Sequence, residues 1–153
     1  MADLIRPSRK ELSYRVKFHS DRRTMSFQNH IDEYTESELD EFYQEAVDTT
    51  DIKHIYRLVF CDDCMDFVSE TEWKYDTTLD GYFWNVIVRY DLREVGYGHE
   101  TLRLMKLEAQ RYDIHSFYVE INKNNDIAKS FLEYEEFKLK EEKDNSYLYL
   151  LEF

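Results

Sequence analysis

Apolar positions recur at helical spacing twice in the first third of the chain. From Ser8 to Ser20, after a Pro7-Ser8 start signal, Leu12, Val16 and, a turn on, His19 fall near one face. From Ser37 to Ala46 or Val47, Leu39, Phe42, Tyr43 and Ala46 repeat at i, i+3, i+4 and i+7. The polar-aromatic stretch Thr24-Met25-Ser26-Phe27-Gln28-Asn29 connects the two. The pattern then shortens to that of strands. Ile55–Phe60 is β-branched and aromatic, and Asp62-Asp63 can turn the chain. Phe67 to Tyr75 alternates, with Phe67, Ser69, Thr71 and Trp73 on one side and Val68, Glu70 and Glu72 on the other. Asp80-Gly81 is a hairpin signal, because glycine tolerates the positive φ of a tight turn. Tyr82 to Val88 follows and ends in Val86-Ile87-Val88, an apolar run suited to a sheet centre.

After Val88 the organisation changes. Gly98–Tyr112 reads as a helix with Leu102, Met105, Ala109 and Tyr112 along one side. Ser116–Val119 is a strand, Asn125–Tyr134 a short helix, and Ser146–Phe153 a final strand. A strand–helix–strand step implies a parallel pair with a right-handed crossover. The expected fold class is therefore α/β (α+β), with a mixed, mostly antiparallel sheet of six or seven strands and about four helices. No repeat or Pro/Gly/Ser linker interrupts the chain, so residues 1–153 are expected to form one domain.

Composition narrows the function classes. Hydrophobic residues make up 42% and aromatics 16%, enough to build a core. No apolar run approaches the roughly 18 residues of a membrane helix, and Met1–Lys10 lacks the apolar segment of a secretory signal. A cytoplasmic protein with no membrane partner is expected. The formal net charge of −13 repels phosphate backbones, so nucleic acid is a poor partner and a cationic small molecule or basic peptide a better one. Acidity also serves solubility alone. Cys61 and Cys64 cannot close a tetrahedral zinc site without a second pair, and His19, His30, His54, His99 and His115 show no metal spacing. No metal is expected, and the cysteines read as hairpin thiols.

Glycine carries the sharpest signal. The sequence has three: Gly81 at the hairpin, and Gly96 and Gly98 between an apolar strand and a helix. A chain so poor in glycine places two together where the backbone needs them. A Gly-X-Gly junction lets backbone N–H groups converge at a helix N-terminus, an arrangement that binds phosphate. A Rossmann loop would want a glycine where Thr101 stands, and the Gly-Lys-Ser/Thr of a P-loop and the Gly-x-Ser-x-Gly of a hydrolase elbow are absent.

What remains is Val86-Ile87-Val88 followed by Arg93-Glu94-Val95-Gly96-Tyr97-Gly98, then Val119, Asn125, Ala128 and Phe137 at matching distances. This pattern, from Val86 to Phe137, resembles the GNAT superfamily of N-acetyltransferases. Asp21-Arg22-Arg23-Thr24-Met25-Ser26-Phe27 further resembles a group of small bacterial members. The resemblance implies direct transfer of an acetyl group from acetyl-CoA to a primary amine. The backbone of Val86 and Val88, with Ile87 between them, would pair with the pantetheine arm. The amides of Arg93, Glu94, Val95, Gly96, Tyr97 and Gly98 would hold the pyrophosphate, and Asn125 and Ala128 would meet the cofactor at the next helix. Asn125 also reads as a helix N-cap, and the two roles are compatible. The resemblance leaves room for a homodimer.

Two departures bear on mechanism. Leu132 stands where many members carry a tyrosine that protonates the leaving thiolate, and Glu136 stands where a glycine is usual. Protonation by solvent is an alternative, since a thiol pKa near 8.5 needs little help. An ammonium acceptor must lose a proton before attack, so a carboxylate base is useful, directly or through water. Glu70, at the family's frequent Gly-Glu position with Ser69 replacing glycine, and Glu72 are the candidates, with Glu120 a weaker one. Solvated strand carboxylates are the plainer reading. The alternative to an enzyme is a GNAT-fold module that binds acyl-CoA or a protein partner without turnover.

Overall fold

A computed structural model describes residues 1–28 and 30–153. Asn29, the last residue of the predicted polar-aromatic connection, lies outside the described residues. Seven strands form one sheet: β1 (Ala2–Ile5), β2 (His54–Cys61), β3 (Asp66–Asp76), β4 (Gly81–Val88), β5 (Ser116–Asn122), β6 (Lys138–Glu142) and β7 (Ser146–Glu152). Their order is β1-β2-β3-β4-β5-β7-β6. The helices are α1 (Ser13–Ser20), α2 (Glu36–Ala46), α3 (Tyr97–Gln110) and α4 (Asp126–Tyr134), with short 3-10 turns at Lys10–Leu12 and Tyr90–Leu92. Every pairing is antiparallel except β4 with β5. The predicted parallel pair is thus present across α3. The second strand–helix–strand step is corrected. After α4 the chain first enters β6, and β7 turns back between β6 and β5, so β5 and β7 are antiparallel.

The two helical layers explain the patterns. On one face Leu102, Met105 and Ala109 of α3 and Leu132 of α4 bury against Trp73, Trp84 and Phe117. On the other, Leu12, Phe18, Leu39 and Ala46 cover Tyr56, Leu58 and Ile87. Each fully buried aliphatic side chain contributes roughly 1.5–3 kcal/mol. Trp84 stacks near Phe117 and Phe137 with centroids 6.1 and 6.3 Å apart, and its indole N–H donates to Thr71 Oγ1 at 2.8 Å. Helix α2 begins with a capping box in which Thr35 and Glu38 satisfy each other's backbone N–H.

The alternation predicted for β3 holds from Ser69 to Trp73 and fails before it. Register shifts between Val59 and Phe60, so that Val59 pairs with Ser69 and Phe60 with Phe67. Val68 is the extra residue of a β-bulge. It joins Ser69 on the α3 face beside Leu104 and Tyr97, and Phe67 swings to the α1–α2 face. Glu70 and Glu72 keep their shared face beneath α1 and α2.

Candidate functional site

The sheet opens beside β4. Its single rung to β5 is Phe83 with Tyr118. At the other end of β4 the Arg89 N–H donates to Val68 O at 3.0 Å, the last bond toward β3. Antiparallel bonding alternates residue by residue, so Ile87 and Asn85 point their backbone groups at β3 while Val88 and Val86 point theirs at β5. The β5 ladder does not reach them. The edge has no strand partner there, with Val88 O met, among the described residues, only by Arg93 Nε at 3.4 Å, and such an edge in the middle of a sheet can accept an extended polar chain. Val86 packs on the α3 core and Ile87, 4% exposed, fills the α1–α2 core, so their side chains hold that edge in place.

The loop after β4 has the geometry that its glycines predict. Glu94 and Gly96 have φ of 64° and 97°. Gly96 caps α3, its carbonyl accepting the Glu100 N–H at 3.0 Å. The N–H groups of Tyr97, Gly98 and His99 consequently have no acceptor within the helix. A Cβ on Gly96 would meet nothing within 4 Å, so the backbone borders open space. Gly98 answers a different need: its Cβ would lie 3.0 Å from the Phe131 ring of α4. At the start of α4 Asn125 accepts the Ala128 N–H at 3.2 Å, the N-cap role. Ser69 Oγ and Thr101 Oγ1, 2.8 Å apart, tie α3 to β3.

Arg93 is a strap. Its guanidinium donates to Thr24 O, to Ser26 Oγ at 3.3 Å and, through Nε, to Val88 O at 3.4 Å. With the Tyr90 N–H on Thr24 Oγ1 at 3.2 Å, it fastens the α1–α2 connection to the end of β4. Arg93 contributes its backbone to the loop, while its side chain holds the neighbouring wall.

The candidate bases lie in a buried polar chain. Glu70 is 3% exposed and accepts from His19 Nε2, Tyr56 Oη and Arg15 Nη1, the last at 3.3 Å. This corrects the reading of a solvated strand carboxylate. His19 Nδ1 meets Asp32 at 2.9 Å. Glu72 accepts from His54 Nε2 at 2.6 Å and lies 3.8 Å from Arg15, while His54 Nδ1 reaches Glu45 at 2.5 Å. Burial opposes the charge on His19 most strongly, but the bond to Glu70, the Glu70 charge and the bond to Asp32 together raise its pKa. His54 is raised in the same way, against burial, by Glu72 and then Glu45. Burial would lift the Glu72 carboxyl, yet His54 and Arg15 hold it below its ordinary range. Arg15 also stacks under Phe42, 4.2 Å from the ring centroid. Glu120 stands apart, on the exposed part of β5, bonded to Ser146 at 2.6 Å and Lys143 at 3.1 Å. Leu132 is 2% exposed in the core, so no phenol occupies that position, and Tyr134 points to solvent at 79%.

The sequence did not assign Arg15, His19, Asp32, His54 or Tyr56 to this chain of bonds. Arg15 and His19 are four apart and share a helical face, the one local signal available. The remaining partners arrive through tertiary packing.

A seven-stranded sheet that splays beside its fourth strand, with a glycine-capped helix at the opening, has relatives of known structure. No protein-family model matches the chain, and no curated protein matches it. Solved structures do. Spermidine N-acetyltransferase from Vibrio cholerae, in complex with CoA and spermine, superposes with TM-score 0.78 at 14% identity, over 99% of this chain and 95% of that one. A GNAT-family acetyltransferase from Streptococcus pneumoniae matches with TM-score 0.78 at 14% identity, over 100% of both chains. PaiA N-acetyltransferase from Thermoplasma acidophilum, in complex with coenzyme A, gives 0.74 at 11%, over 100% and 99%. This is the GNAT fold. At such identities the likeness establishes the fold of this chain, and the GNAT acetyltransferases are its structural neighbours. Among the described residues no helix is long and apolar enough to cross a membrane.

Proposed function

We propose that this GNAT-fold chain is an acyltransferase that moves an acetyl group from acetyl-CoA to a primary amine. The observation that carries the reading is the pairing of two features at one opening. The backbone edge at Val86 and Val88 lacks a strand partner, and the N–H groups at the start of α3 border open space at Gly96. The first suits an amide-bearing arm and the second a pyrophosphate. Two neighbours crystallised with CoA support this assignment. Bound acetyl-CoA supplies the thioester that the amine attacks.

The chain's own residues bind and orient the reactants. Val86 and Val88 align the arm along β4, and the backbone from Arg93 to Gly98 cradles the pyrophosphate, with Asn125 and Ala128 flanking at α4. Arg93 keeps the α1–α2 connection against that loop. The acceptor must be a neutral amine at the moment of attack. Glu70 is enclosed by Arg15, His19 and Tyr56, so we assign it and Glu72 a positioning role. They hold His19 and His54, whose two ring nitrogens are each engaged by a carboxylate, and the acceptor's proton leaves to water. The net charge of −13 favours a cationic acceptor, and the neighbour bound to spermine is consistent with one. The thiolate leaving group takes its proton from solvent, since Leu132 offers none.

Leu132 also favours a second reading, a module that binds acyl-CoA without turnover. Calorimetric titration with CoA and acetyl-CoA tests the shared part, and thiol release with a panel of amines separates the two. We expect binding, and release that depends on the amine. Binding without release under any amine selects the module, and no binding at millimolar ligand rejects both.

A further inference from the structure

The two cysteines take no part in that function, yet the fold aims both at the cofactor loop. Cys61 ends β2 and is 2% exposed, while Cys64 sits in the β2–β3 turn and is exposed. Cys61 Sγ lies 3.1 Å and Cys64 Sγ 3.3 Å from one atom, Tyr97 Oη. Tyr97 is the first residue of α3, between Gly96 and Gly98. The sulfurs therefore converge across a tight turn, in which Met65 N bonds Asp62 O at 3.3 Å and Met65 has φ of 52°. Cys61 precedes the first residue of that turn and Cys64 is its third, and their contact with one shared hydroxyl brings the two sulfurs together.

We propose that Cys61 and Cys64 form a thiol–disulfide exchange site that takes small-molecule disulfides, and that its closure frees Tyr97 and loosens the start of α3. Exposed Cys64, as thiolate, attacks one sulfur of a disulfide RSSR. The S–S bond breaks, Cys64–SR forms, and RS⁻ leaves to take a proton from solvent. Cys61 then attacks Cys64 Sγ, expelling the second RS⁻. The protein loses two thiol protons and two electrons, and RSSR is reduced to two RSH. The Tyr97 hydroxyl donates to Cys61 and lowers its pKa, followed by turn amides of Cys64 and Asp63, which favours the attacking form of the resolving cysteine. Once the sulfurs are joined at about 2.05 Å, Cys64 no longer donates to the phenol, and the phenol keeps only a disulfide sulfur, a weak acceptor, in place of the thiols that fix it. The effect on acetyl-CoA rests on the function proposed above, whereas disulfide closure does not.

The test incubates the reduced full chain with oxidised glutathione and reads intact mass. The parent should lose the mass of two hydrogens. Cys61→Ser should stop as a single glutathione adduct on Cys64, and Cys64→Ser should stay unmodified. A parent that accumulates the adduct without internal closure, or a Cys64→Ser variant modified as readily as the parent, overturns the site. Amide hydrogen exchange across residues 94–101 should accelerate about five- to tenfold on oxidation, the worth of about one side-chain hydrogen bond. Tyr97→Phe should reproduce that in the reduced protein, and unchanged exchange overturns the link to the loop. Titration of both forms with CoA follows. Weaker binding by the oxidised form supports the link and equal binding overturns it. A reduced protein that binds no CoA rejects the function instead, and mass and exchange then decide the thiol proposal.

Discussion

At Glu70 three donors converge on one carboxylate, and that convergence sets what a substitution does. Glu70→Gln leaves the Arg15 charge, 11% exposed, with Glu72 alone at 3.8 Å. Breaking a buried pair from one side costs about 3–5 kcal/mol, so the urea midpoint should fall sharply. Glu72→Gln should cost less, because Arg15 keeps Glu70 and His54 keeps Glu45. A Glu70→Gln midpoint equal to the parent's would reject the buried network. The alternation of the strand placed Glu70 and Glu72 on one face correctly, but strand parity says nothing about what covers a face. Gly96 was more legible, since the need for positive φ is local, although at the β3–β4 hairpin the left-handed residue is Asp80, φ 48°, and not Gly81. Gly96 meets that need, whereas the tightness at Gly98 comes from Phe131, more than thirty residues downstream. Gly98→Val should press on that ring and cost roughly 1–3 kcal/mol, as overpacking does. Phe131→Ala in the same chain should recover part of the loss. Strictly additive losses in a double-mutant cycle would show that the contact is not the cause.

Elements with an apolar stripe announced themselves, and those without one did not. Helices α2 to α4 and the strands β2 to β5 and β7 follow apolar spacing, whereas α1 buries Arg15, Phe18 and His19 and leaves Val16 of the predicted face half-buried. Strand β6, Lys-Leu-Lys-Glu-Glu, is exposed throughout, and its charges suit a sheet edge that must resist pairing. Strand β1 has four residues and is recognisable only through its partners in β2. The β3 bulge was equally silent, because Val68 and Phe67 are both apolar and either side accepts them. Helix caps sit between these cases. Asn125 was read as a cap and as a cofactor contact, and one substitution pair separates the roles. Asn125→Ala should cost about 1 kcal/mol through the lost bond to the Ala128 N–H. Asn125→Asp keeps the cap and adds a charge favourable to the helix N-terminus, so stability should match or exceed the parent's. The same charge beside a pyrophosphate should weaken CoA binding, more so at low salt. An Asp variant that binds CoA as the parent does would place Asn125 away from the cofactor.

Across the whole molecule, the excess of acid is not spread evenly over the surface. Part of it is drawn inward, where Asp32, His19, Glu70, Arg15, Glu72, His54 and Glu45 form one chain of contacts that joins α1, the α1–α2 connection, α2, β2 and β3. Composition revealed the excess, and the fold decided where it went. That arrangement fixes how stability depends on pH. His19 and His54 are raised on folding, so their contribution is fully present below the ordinary imidazole pKa of about 6.5 and is lost as pH rises through the raised values. Asp32 is lowered, chiefly by its bond to His19, and Glu72 is lowered against burial by His54. Their contribution is present above the ordinary carboxylate pKa of about 4 and is lost as pH falls through the depressed values. Melting temperature should therefore peak on the mildly acidic side of neutrality and decline toward pH of about 9, well above the ordinary imidazole value. Self-repulsion of an acidic surface also lowers stability as pH rises, but salt screens exposed charges far more than buried ones. The decline should accordingly persist at high salt in the parent. It should become shallower in His19→Gln and in His54→Gln, and flatten most in the double variant. An alkaline slope that vanishes with salt, or that survives in the double variant, would show that the buried histidines do not set it.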